Sequence, residues 1–254
     1  MSATVPGKLY LVPAPLDFGC TEQAALTEVL PAATLARAAA LDCWICENAK
    51  STRAYLKRVH ALLPPARSLQ EQQIVELPRE VHKKGDHDGR FDARSLLAPA
   101  LAGRDLGLVS EAGMPAIADP GSSVVRAAHA LGVEVVALVG PVSLMLALAA
   151  SGLGGQHFAF QGYLPQNAAE RSQRIRELET LALKSSQTQL FIETPYRNAA
   201  LLAALLAGLQ GSTRLAVSWG LTLASGHNHS ARVSDWRRSP APIPDAPAVF
   251  AIGR

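Results

Sequence analysis

A chain of 254 residues with 48% hydrophobic and 18% charged side chains has apolar material for one large core or two ordinary ones, which excludes an intrinsically disordered protein. A formal charge of +3 and a pI near 8.9 permit a nucleic-acid partner without imposing one. Three cysteines cannot close a disulfide framework, and the N-terminal residues turn polar too early for a secretory leader, so a reduced, cytoplasmic setting is expected.

In chain order, the apolar run 9–12 predicts a first strand that ends in the proline-rich turn Pro13-Ala14-Pro15-Leu16-Asp17. A helical pattern over 21–40 follows, and Pro31 inside it should split it. The run 42–46 predicts a second strand. Its Cys43 and Cys46, three apart in an extended chain, point to opposite faces and read as small core residues, not as a metal or redox pair. A helix over 51–62, a strand over 73–77, a helix over 91–102 and a strand over 106–109 come next. The loop 110–121 then leads into a helix over 121–131, with Asp119 as its expected cap. A strand over 133–139 breaks at Gly140-Pro141 into a helix over 142–151. Repeated strand–helix alternation predicts a mostly parallel sheet covered on both faces.

The texture changes after Gly152, and the Gly-Leu-Gly-Gly stretch sets an expected boundary between domains 1–152 and 153–254. Strands are expected over 156–163, 188–193, 214–221 and 248–253, with helices over 167–183 and 196–209 and a loop over 225–245. Strands following one another this late imply a mixed sheet. The fold class is therefore α/β, two αβα domains, the first mostly parallel and the second mixed. The longest apolar stretch, 135–150, is interrupted by Gly140-Pro141 and falls short of the roughly 20 residues that span a bilayer, so no membrane segment is expected. Metal binding is not expected either: His227 and His229 form an H-x-H, and His82, His87 and Asp88 cluster in a polar loop, yet no helical pair of ligands accompanies them.

Ligands of parallel sheets collect beyond the strand C-terminal ends, which directs attention to the loops 110–121 and 140–143. The strings SEAGMPAIADPG, VGPVSLMLALAASGL and FQGYLP resemble the core motifs of the tetrapyrrole-methylase superfamily of S-adenosylmethionine (SAM) dependent methyltransferases. Within it they are most similar to the branch that methylates a ribose 2′-hydroxyl of a cytidine in small-subunit ribosomal RNA. The resemblance implies SAM as cofactor, held in a cleft between the domains. It also implies a homodimer, with ribosomal RNA or the small ribosomal subunit as partner. The cofactor residues it implies are Pro13, Glu111, Ala112, Gly113, Pro115, Asp119, Gly140, Pro141, Ser143, Thr194, Pro195, Leu221 and Thr222.

A ribose hydroxyl needs help in losing its proton, and the carboxylate of Glu47, at the end of the second strand, is the expected acceptor. The other reading of Glu47 is a solvated end-of-strand residue. Arg53, Arg171, Arg174 and Arg197 are the expected contacts to substrate, and Lys83, Lys84, Arg237 and Arg238 are candidates to extend a basic surface. Two bland readings stay open: Glu170, Glu177 and Glu179 pair Arg171 and Arg174 on a solvated helix, and Glu193 bridges Arg197. The sequence departs from the ribosomal-RNA branch at Asn48, where an acid is usual, and at Trp219-Gly220, where Arg-Glu is usual. Two alternatives remain: methylation of a porphyrin or corrin precursor, and a SAM-binding protein that has lost catalysis.

Overall fold

The computed structural model describes residues 5–84, 86, 89–239 and 241–254. They form two compact units, 1–142 and 143–254. The division falls ahead of the boundary expected at 152/153, because the helix Ser143–Ser151 packs on the sheet of the second unit, with Leu144, Ala147 and Leu148 buried.

The first unit runs β1 (Leu9–Leu11), α1 (Leu26–Val29), α2 (Ala32–Ala40), β2 (Cys43–Cys46), α3 (Ala49–His60), β3 (Gln73–Glu76), α4 (Arg79–Lys84), α5 (Ala98–Leu101), β4 (Leu106–Val109), α6 (Ser122–Ala130) and β5 (Val135–Ala137). Pro31 separates α1 from α2, because a proline nitrogen has no hydrogen to continue the helix. The sheet is parallel throughout, in the order β3-β2-β4-β1-β5. β2 and β4 are buried along their whole length, as near-continuous apolar strands covered on both faces should be. Tyr10, Leu35, Trp44 and Leu56 belong to the core on one side, and Leu9, Ile45, Leu97 and Leu108 to the core on the other. Cys43 and Cys46 fall in different cores, so the two thiols do not share a site.

The second unit runs α7 (Ser143–Ser151), β6 (Phe158–Tyr163), α8 (Ala168–Ser185), β7 (Thr188–Glu193), α9 (Asn198–Gly208), β8 (Arg214–Trp219), β9 (His227–Arg232), α10 (Val233–Arg238) and β10 (Ala248–Gly253). Its sheet has the order β6-β7-β10-β8-β9, with β6 parallel to β7 and the remaining pairs antiparallel. The stretch 225–245, expected as a loop, instead contains β9 and α10. β9 reads His-Asn-His-Ser-Ala-Arg, an edge strand whose polar side chains hide it from any hydrophobic pattern. Its histidines have structural roles: His227 packs tilted against Trp219, with ring centroids 4.8 Å apart, and His229 meets the edge of Trp236 with ring centroids 4.4 Å apart.

Among the described residues no helix is long and apolar enough to cross a membrane, and no group of three or more His, Cys, Asp or Glu could hold a metal ion. His87, Asp88 and the side chains of His82, Lys83 and Lys84 lie outside the described residues.

Candidate functional site

In the first unit the chain leaves β2 toward β3 on one side of the sheet and leaves β4 toward β5 on the other, so the loops after these neighbouring strands part above their C-terminal ends. A crevice at such a point is where open α/β sheets hold ligands.

Three loops are tied together there. Ala14, in the turn after β1, and Gly113, in the turn after β4, exchange two backbone hydrogen bonds of 2.9 and 3.0 Å. Gly113 has φ +67°, and a side chain on it would press on Leu16 and the carbonyl of Pro141. Gly140 sits so close to the Pro13 ring that a Cβ would stand 2.2 Å from it, a contact only glycine permits. The β1 turn is anchored in turn by Asp17, buried against Arg58 of α3 at 3.0 Å. Pro13, Gly113, Gly140 and Pro141 therefore form one rigid rim.

The loop 110–121 holds two non-glycine residues, Ala116 and Ala118, at φ +65°, a conformation that costs about 1 kcal/mol each and is retained only where the surroundings enforce it. This path brings Asp119 within electrostatic reach of Glu47 and Glu111. The backbone N–H of Glu111 also points at the Glu47 carboxylate, across a long 3.4 Å.

Asp119 does not cap α6, contrary to expectation. Asp86 performs that task from a distant loop, accepting hydrogen bonds from the N–H groups of Gly121 (3.0 Å) and Ser123 (2.7 Å) and from both serine hydroxyls. Burial pushes the Asp86 carboxyl up, but these donors outweigh it and hold it below its ordinary range. Asp86→Ala is expected to cost about 2–3 kcal/mol at neutral pH in a urea melt. The loss should shrink in acid, because a depressed carboxyl stabilises only above its unfolded pKa and loses that contribution as pH falls through the folded value.

Released from capping, the Asp119 carboxyl has no hydrogen-bond or ion-pair partner among the described residues. Burial first, then the neighbouring charges of Glu47 and Glu111, push it up to about 7. Holding a carboxyl that far above its ordinary range amounts to about 4 kcal/mol, discounted to ~2 kcal/mol because the group keeps some contact with water. For a carboxyl raised above its unfolded value, folding is favoured below pH ~4 and the advantage is lost as pH rises through about 7. Asp119→Asn should therefore stabilise the protein by ~2 kcal/mol at pH 8 and be neutral near pH 4, which paired denaturant melts would check.

Asn48, one of the two departures from the ribosomal-RNA pattern, is the N-cap of α3: its Oδ1 accepts from the N–H groups of Lys50 (2.9 Å) and Ser51 (3.3 Å). An amide oxygen does this as well as a carboxylate. The second departure closes the turn after β8, where Trp219 packs on His227 and Gly220 adopts φ +57° against Gly226.

In the second unit, Thr222 holds φ +73°, and its buried hydroxyl has no partner among the described residues. Leu221 is half-buried beside it, as is Ser143 at the first turn of α7. Pro195 opens a short 3-10 turn, Pro195–Arg197; Thr194 precedes it but makes no side-chain cap. Glu193 is buried: it accepts from the Thr194 N–H at 2.8 Å and pairs with Arg197 at 2.6 Å, the bridge that was one of the open readings. Arg174 reaches Gln161 (2.7 Å) and Glu177 (3.2 Å), and Arg171 donates to the carbonyl of Gln166 (3.2 Å). Arg237 is spent on the carbonyls of Leu206 and Leu209, and Arg238 on Asp235. Arg53 is exposed, and among the described residues it bonds only to its own helix, at 3.5 Å from the Ala49 carbonyl.

The family model for tetrapyrrole (corrin/porphyrin) methylases matches residues 22–230. The chain belongs to that family. Among the methylases it is similar to the ribosomal RNA small subunit methyltransferase I of Vibrio cholerae, 36% identical over 137 residues, 54% of this chain and 46% of that protein. It is also similar to the enzyme of the same name from Streptococcus pyogenes, 33% identical over 205 residues, 79% of this chain and 60% of that one. The chain spans about half the length of the curated relatives it matches. Among solved structures it shares its fold with the uroporphyrin-III C-methyltransferase of Thermus thermophilus, at 19% identity and a TM-score of 0.54 over 98% of both chains. The form of that protein complexed with S-adenyl homocysteine gives 18% and 0.52.

Proposed function

We propose that the chain is a SAM-dependent methyltransferase acting on a ribose 2′-hydroxyl of ribosomal RNA. The observation that carries this reading is the cluster of loops at the strand C-terminal ends of the first unit. There a glycine- and proline-lined rim adjoins three carboxylates, inside a family whose similar named members modify small-subunit ribosomal RNA. SAM, when bound, supplies an electrophilic methyl group on a sulfonium.

The residues present fit such a ligand. Glu47 and Asp119 form no ion pair among the described residues, so a cation beside them relieves their mutual repulsion. Gly113, Pro115, Gly140 and Pro141 are the residues of the first unit assigned to hold the ligand, with Glu111 and Ala112 the turn that carries its cationic end. In the second unit the buried hydroxyl of Thr222 has no partner among the described residues, and Ser143, Thr194, Pro195, Leu221 and Thr222 stay the cofactor residues that the resemblance implies. Glu47 accepts the proton of the ribose hydroxyl. Both departures from the ribosomal-RNA pattern have structural tasks of their own, a helix cap and a hairpin turn, so neither argues for lost catalysis. A cytoplasmic homodimer belongs to the same proposal, supported by the exposed apolar Met145 and Leu146 on α7.

The test is transfer of labelled methyl from SAM to small ribosomal subunits, run beside uroporphyrinogen as competing acceptor. Label in the RNA ribose supports the reading. Label only in the tetrapyrrole, or SAM binding in a calorimeter with no transfer to either, removes it.

A further inference from the structure

Helix α3 begins two residues after Glu47 and reads Ala-Lys-Ser-Thr-Arg-Ala-Tyr-Leu-Lys-Arg-Val-His, with no acidic side chain anywhere in it. Thr52, Tyr55, Leu56 and Val59 face the core, and Arg58 turns inward to clamp Asp17. Lys50, Arg53 and Lys57 are exposed, at the i, i+3, i+7 spacing that lines them along one side over ~10 Å.

Two features mark this stripe. None of its three cations has an ion-pair partner among the described residues, whereas Lys8 pairs with Glu134, Arg94 with Asp92 and Arg238 with Asp235. Lys50 also stands in the first turn, where the helix dipole disfavours a cation and an acid would stabilise. A helix that tolerates this pattern against its own preference presents positive charge outward, beginning beside the crevice.

We propose that the solvent face of α3 is a docking surface for the sugar–phosphate backbone of RNA, with Lys50, Arg53 and Lys57 each contacting a phosphate. The inference rests on the ribosomal-RNA acceptor proposed above and adds how that acceptor is held: phosphates along the stripe fix the strand so that a ribose lies at the Glu47 end. Phosphate contacts position a strand without reading its bases, so sequence selection lies elsewhere.

The experiment is a salt titration of the binding of a fluorescein-labelled single-stranded RNA oligonucleotide to the full chain, followed by anisotropy. Each phosphate contact to a single strand contributes about 0.7 to the slope of log affinity against log salt. The triple variant Lys50→Gln, Arg53→Gln, Lys57→Gln should therefore flatten the slope by about 2 and weaken binding about 100-fold at ~0.1 M salt. Glutamine keeps the helix propensity of these positions, and an unchanged circular dichroism melt would show the fold intact. The charge-preserving pair Lys50→Arg, Lys57→Arg should keep the wild-type slope, and so should Arg94→Gln on a surface already paired.

An unchanged slope in the triple variant, with wild type binding RNA, overturns the docking surface and leaves the methyltransferase reading standing. Wild type that binds no RNA, and transfers no methyl to small subunits, overturns both. Competition by polyglutamate as effective as by RNA of equal charge would assign the stripe to an acidic protein and overturn the inference.

Discussion

Glutamine in place of Glu47 is expected to lower methyl transfer by about 10²–10⁴-fold, the range by which a positioned proton acceptor accelerates a reaction. The substitution keeps the size and shape of the side chain and still accepts from the Glu111 N–H, so the fold should be kept, and a modest loss of SAM affinity from the missing charge is separated from the rate by working at saturating SAM. Its pH dependence carries more information than its magnitude. Asp119 is pushed up partly by the Glu47 charge, and a carboxyl near 7 is itself well matched to accept a proton at neutral pH. If Glu47 is the acceptor, Glu47→Gln is slow at every pH. If the proton goes instead to Asp119, removing the Glu47 charge lowers the Asp119 pKa. The acid limb of the rate profile then moves to lower pH, and the plateau rate survives. A rate profile of the variant from pH 5 to 9 separates the two, and a surviving plateau would take Glu47 out of the proton transfer.

The strands of the first unit were legible because their evidence is local. An apolar run of the length of 106–109, stopped by a turn, has few other ways to be buried, and Pro31 cuts a helix wherever the rest of the chain goes. The loops that hold Gly113 and Gly140 were singled out by their place after strands, and the structure shows why glycine stands there: other loops pack against both backbones. What the sequence hid depends on partners remote along the chain. Asp119-Pro120-Gly121 looks like a capped helix start. The cap is Asp86, 35 residues away from Gly121, and nothing in the intervening sequence announces that it returns to this point. β9 was hidden for a different reason: an edge strand pairs through its backbone, which every residue possesses, and its polar side chains leave no alternation to detect. The cationic face of α3 was visible letter by letter, yet only the structure separates inward Arg58 from outward Lys50, Arg53 and Lys57.

The second large effect concerns Arg197, whose resemblance-based role is a contact to substrate and whose observed partner is Glu193. The Glu193 side chain is 1% exposed and that of Arg197 is 19% exposed, so each relies on the other for compensation of its buried charge. Removing one member of such a pair costs more than the pair contributes, because the survivor is left charged and desolvated. Arg197→Met is expected to destabilise the protein by about 3 kcal/mol in a urea melt near pH 8, the low end of the usual range because Thr194 still donates its backbone N–H and hydroxyl to the carboxylate. Neutralising the stranded group should recover most of that loss, so the double variant Glu193→Gln, Arg197→Met is expected to lie within about 1 kcal/mol of wild type. RNA affinity measured on this stable double variant then isolates the other role. Binding equal to wild type makes Arg197 a structural anchor at the end of β7. A drop in affinity with an unchanged melt would show that its guanidinium reaches the acceptor as well, and would undo the assignment of its charge to Glu193 alone.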